Sequence, residues 1–114
     1  MSETFLSCSA TGQGSEWITE GVLALRVMEQ QDQSATVVLD WPGQTFTVWL
    51  TMTSGRWAVD SYAMPGSFTR RDLVTTQRNA WLYELLAAKP EWRTDGERVT
   101  LSTDTRTVEF RSDR

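Results

Sequence analysis

The stretch that decides the fold is residues 69–110, TRRDLVTTQRNAWLYELLAAKPEWRTDGERVTLSTDTRTVEF. From Gln77 to Ala88 the apolar residues Trp81, Leu82, Leu85 and Leu86 recur at helical spacing, with Arg78, Asn79, Tyr83 and Glu84 mainly outside that face. Thr75 or Thr76 offers a side-chain oxygen as N-cap, Lys89 suits the C-terminal end of the dipole, and Pro90 forbids extension. These signals predict a helix over residues 77–88. Beyond it, Trp92 opens a short strand and Asp95-Gly96 is a two-residue turn signal. Val99–Leu101 and Thr107–Phe110 follow as strands joined at Thr103-Asp104.

Upstream, the pattern changes period. Phe46, Val48, Leu50 and Met52 alternate with Thr45, Thr47, Trp49, Thr51 and Thr53, which marks a strand with one face in the core. Ala35–Trp41 has similar composition, and Pro42-Gly43 between the two runs predicts a hairpin. Val22–Met28 is rich in helix formers, but Leu23, Leu25 and Val27 alternate, which favours a strand over a helix. After the Thr53-Ser54-Gly55 turn, Trp57, Val59 and Ser61 alternate with Ala58, Asp60 and Tyr62. Thr4–Ser9 reads as a further strand before a flexible loop at Ala10–Ser15, and Ala63–Val74 reads as a loop crossing the sheet. One helix among many antiparallel strands predicts an α+β fold: a curved antiparallel sheet or half-open barrel with one packed helix.

The 114 residues constitute one domain, large enough to build a core without disulfides or metals. The N-terminal MSETFL lacks the basic start and apolar run of a signal peptide, and no apolar stretch is long enough to cross a membrane. The expectation is a cytoplasmic protein as the sequence stands, or an envelope protein if a signal segment was removed. Cys8 is the single cysteine, which excludes an internal disulfide and reads as a half-buried strand residue.

Charge is uneven. Up to Asp60 there are seven acids against Arg26 and Arg56 alone, while the remainder is nearly balanced. An acidic half repels phosphate backbones, so nucleic acid is not an expected partner. Arg70, Arg71 and Arg78 form a local basic cluster in the other half.

There is no histidine, so the usual general base and commonest metal ligand are both missing. A Ser-His-Asp or Cys-His nucleophile cannot be assembled. Paired-carboxylate chemistry through Asp40, Asp60 or Asp72 needs a spacing that sequence does not reveal. Gly12-Gln13-Gly14-Ser15 lacks the lysine and the strand–helix context of a phosphate loop. No cofactor is expected.

The order of elements resembles the META domain, the family that includes the bacterial heat-inducible HslJ-type proteins. The matching residues are Thr69-Arg70-Arg71, the run Asn79-Ala80-Trp81-Leu82-Tyr83-Glu84-Leu85-Leu86, Asp95-Gly96-Glu97-Arg98-Val99-Thr100-Leu101, and Arg106-Thr107-Val108-Glu109-Phe110. The family's Gly-Cys-Asn element is replaced by Thr53-Ser54-Gly55-Arg56, and Asp72-Leu73 stands where a cysteine often follows, so no cysteine-based feature carries over. The resemblance implies a bacterial accessory protein associated with stress or the envelope.

Six tryptophans remain to be placed. Trp81 and Trp92 are expected in the core. Trp49 lies on the threonine face of its strand, so Trp49 with Thr47 and Thr51, extended by Trp57 and rimmed by Arg70 and Arg71, is the candidate binding surface. The function expected from these features is non-catalytic recognition of another polypeptide, through that aromatic patch or an exposed sheet edge. Such an edge also offers a route to a homodimer. The alternative is a small apolar-ligand carrier with the sheet wrapped around a cavity.

Overall fold

The structure is a computed structural model and describes residues 3–41, 44–63 and 73–113. Eight strands follow one another as an antiparallel meander: β1 (Glu3–Thr11), β2 (Ala24–Gln30), β3 (Ser34–Trp41), β4 (Gln44–Thr53), β5 (Arg56–Ala63), β6 (Glu91–Asp95), β7 (Arg98–Ser102) and β8 (Thr107–Ser112). Among the described residues a single helix, α1 (Leu73–Ala87), lies between β5 and β6 in the chain. Each strand pairs with its neighbours in sequence, and β8 returns to pair with β1. The sheet therefore closes into a barrel rather than standing half open. Closure removes the unpaired edges at the two ends of the meander. The narrowest seam is β5–β6, joined through Trp57↔Trp92 and Ala58↔Glu91.

The tight turns carry the chemistry that their geometry demands. Ser54 and Gly55 both have positive φ, 52° and 77°, which suits a right-handed hairpin twist between β4 and β5. Asp95 pairs with Arg98 across a two-residue turn containing Gly96 at φ 59°. Trp41 pairs with Gln44, so the expected β3–β4 hairpin forms; its Pro42-Gly43 turn lies outside the described residues.

Alternating inward side chains fill the barrel. Phe46, Phe110, Leu25, Leu39, Val48, Leu101 and Val108 are almost wholly buried. Eight strands enclose an interior that side chains can just fill, or that holds one small ligand. One end is plugged by α1, whose Leu82, Leu85 and Leu86 are at most 1% exposed, with Trp81 beside them. Trp81 donates its indole N–H to the Gln13 carbonyl at 2.9 Å, tying the plug to the β1–β2 connection. Buried Ser7 holds the far end of that connection, donating to the Thr19 carbonyl at 2.8 Å and accepting from the Leu23 N–H at 3.0 Å.

The helix begins four residues earlier than periodicity indicates. Its first turn carries Leu73 and Val74, 71% and 51% exposed, so no apolar face marks it in the sequence. Thr75 and Thr76 accordingly lie within the helix rather than capping it. After α1, Lys89 adopts φ 53° and donates its N–H to the Leu86 carbonyl at 3.0 Å, closing the helix with a left-handed residue before Pro90. At the other end of the chain order, β1 runs on through Ala10 and Thr11, which therefore belong to the sheet and not to a loop.

Gly12 follows β1 at φ 117°, and a Cβ there would stand 2.7 Å from the Thr105 carbonyl oxygen. Gly12→Ala is expected to cost about 1–3 kcal/mol, because it combines an unfavourable backbone conformation with a backbone clash. Urea denaturation of the two proteins measures it; an unchanged midpoint would contradict the tight approach of the two connections.

Candidate functional site

Strand direction determines which end of the barrel remains open. The chain passes the plugged end at Thr11–Ala24, Trp41–Gln44, Ala87–Pro90 and Ser102–Thr107. The opposite end is the mouth. There a cavity of about 160 Å³ is lined by residues from seven of the eight strands. Phe5, Leu25, Val37, Leu50, Trp57 and Trp92 make its apolar wall, and Glu3, Gln30 and Thr94 are its polar members. Among the described residues Glu3 is its one carboxylate.

Burial follows depth. Phe5, Leu25, Val37, Leu50 and Trp92 are at most 5% exposed, while Val27 and Trp57 are half-buried and pack against the core from the mouth. Trp92 is central to the wall, and its indole N–H is shielded from solvent with no hydrogen-bond partner among the described residues. Leaving such a donor unpaired costs about 1–3 kcal/mol.

The structure separates residues that alternation had grouped. Trp49 is 40% exposed on the outer face of β4, between Thr47 and Thr51, which are half-buried. Trp57 is an interior residue lining the mouth. Trp49 and Trp57 are therefore not one patch: the barrel wall stands between them. The reason is register, since Trp57 pairs with Met52 and not with an outward-facing residue of β4. Arg70 and Arg71, the expected rim of that patch, lie outside the described residues, as does Asp72. Trp81 and Trp92 are in the core as expected, 6% and 5% exposed. Cys8 is a half-buried strand residue.

The plugged end contains a polar and aromatic cluster that sequence reading missed. Asn79, assigned to the outer side of the helix, is 6% exposed. Its Oδ1 accepts the Trp41 indole N–H at 3.0 Å and its Nδ2 donates to Gln44 Oε1 at 2.8 Å. The Arg78 guanidinium lies 5.3 Å from the Trp17 ring and 5.7 Å from the Trp41 ring, so this arginine packs as a cation against two indoles; Arg70 and Arg71, its expected neighbours in a basic cluster, lie outside the described residues. Arg106 stacks on Trp81 at 5.2 Å and pairs with Glu84 at 2.6 Å. The signal available in the sequence was the coincidence of Arg78-Asn79 with the Trp-bearing face. Such a contact needs the partner strand to be known. Nearby, Tyr62 and Tyr83 meet edge-on at 5.8 Å, and partial desolvation with the Tyr83 hydrogen bond raises the Tyr62 phenol above its ordinary range.

Among the described residues no three acidic or thiol side chains gather to hold a metal, and no helix is long and apolar enough to cross a membrane. Comparison with family models, curated proteins and solved structures finds no match to this chain.

Proposed function

We propose that this protein is a non-catalytic carrier or sensor of a small, predominantly apolar molecule, bound in the mouth of the barrel. The observation that carries this reading is the cavity itself: a pocket at the end of a closed barrel, opposite the helical plug, with apolar walls and Glu3, Gln30 and Thr94 as its polar members. Eight-stranded barrels have room for one small ligand once their interior side chains recede from one end. A volume near 160 Å³ matches a benzene-sized molecule, or the terminal segment of a longer amphiphile whose remainder lies outside the mouth. Catalysis by paired carboxylates requires two acids facing one substrate, and the cavity wall supplies Glu3 alone among the described residues. The resemblance of residues 69–111 to the META domain supports, in addition, a bacterial accessory role for such a carrier.

Fluorobenzene titrated by ¹⁹F NMR tests the site. Saturable binding is expected, and Val27→Trp, which places a bulky ring at the half-buried rim of the wall, is expected to abolish it while the fold persists. Absence of saturable binding to the unaltered protein, or binding indifferent to Val27→Trp, would overturn the reading.

A further inference from the structure

The outer face of β2–β5 has a feature unrelated to the mouth. Register places Glu29 opposite Thr36, Thr36 opposite Trp49, and Trp49 opposite Ser61. These four residues form one row across four strands, about 14 Å long at the usual strand spacing. Two β-bulges shape it. One, between Val27 and Glu29, inserts Met28; the other, between the Trp49 and Leu50 pairings, inserts Asp60 into β5. Each bulge puts consecutive residues on the outside: Met28 with Glu29, and Asp60 with Ser61 are all exposed. Bulges often re-aim side chains in this way beside functional sites. Glu29, Thr36, Trp49, Thr51, Asp60 and Ser61 consequently border one open groove with an exposed indole between two carboxylates.

The charges of this groove are not matched within the described residues. The ion pairs there are Arg26–Asp40, Arg56–Glu91, Arg93–Glu91, Arg98–Glu109 and Arg106–Glu84, none of which includes Glu29 or Asp60. Arg26 and Arg56 are the only cations before Asp60, and both already face other acids. Among the described residues, Glu29 accepts only the Gln31 amide and no basic side chain borders the groove. An indole face flanked by two such carboxylates selects a cation that also has a flat or apolar body.

We propose that this row is a docking surface for a basic polypeptide segment, with an arginine or lysine side chain laid over Trp49 between Glu29 and Asp60. The surface is shallow and spans four strands, which suits an extended chain presenting one anchoring residue. It uses Trp49 without Trp57, and it does not depend on what the barrel mouth binds.

Fluorescence anisotropy of a labelled peptide with four arginines spaced by Gly-Ser tests it, against the full chain and three variants. Trp49→Thr leaves every charge in place and is expected to weaken binding about fivefold, the loss of one cation–π contact. Asp60→Asn and Glu29→Gln are each expected to weaken it and to flatten its salt dependence. Thermal melts and far-UV circular dichroism accompany each variant to show that the barrel is retained. Peptide binding unchanged by Trp49→Thr would reduce the effect to general acidity and overturn the proposal. No binding to the unaltered protein would overturn it as well. Trp49-dependent binding of a neutral oligosaccharide without binding of the peptide would reassign the row to sugars and equally overturn it.

Discussion

Leu85→Ala in α1 is expected to lower the unfolding free energy by about 2–5 kcal/mol. The side chain is 1% exposed and stands in the plugged end between Leu82 and Leu86, both wholly buried. Removing three carbons there loses their transfer from water and leaves a void that a closed barrel cannot collapse to fill. In a domain of this size the loss corresponds to a fall in Tm of about 10 °C or more. Calorimetry against the unaltered protein measures it. A change below 1 kcal/mol would mean that α1 does not close the barrel. The same substitution at exposed Leu73 is expected to have little effect, since that residue is 71% in water.

Asn79→Ala is expected to cost about 3 kcal/mol through a different mechanism. It removes the acceptor from the Trp41 indole N–H, which is then buried without a partner, and the donor from Gln44. Trp41→Phe in the same background should recover part of the loss, because eliminating both members of a buried pair leaves no orphaned donor. A double-mutant cycle followed by urea denaturation separates the two contributions. Strict additivity of the single changes would show that the Asn79–Trp41 contact carries no coupling.

The two stability effects together locate the division of labour in the molecule. One end of the barrel spends its apolar surface and its one buried amide on sealing; the other keeps Phe5, Leu25, Val37, Leu50, Trp57 and Trp92 around an unfilled space. That asymmetry is what makes the mouth a binding site candidate rather than a packing flaw.

Local sequence determined much of this. Alternation in residues 45–53 is a property of one strand with one wet face, so it identified β4 without any partner. The turns at Ser54-Gly55 and Asp95-Gly96 were legible because positive φ restricts residue choice at those positions. Trp81, Leu82, Leu85 and Leu86 marked the buried face of α1 for the same kind of reason, since spacing alone fixes which side chains share a helix face. What the chain does not encode locally is who faces whom. Closure rests on β8 finding β1 across nearly the whole chain. The bulge at Asp60 interrupts the alternation of β5, so Ser61 faces out where simple counting put it with Trp57 and Val59. The placement of Trp57 inside the mouth, Trp49 outside the wall and Asn79 beneath Trp41 depends on pairing register and long-range packing. Those are decided only when distant strands meet, because a shift of one residue exchanges the two faces of a sheet.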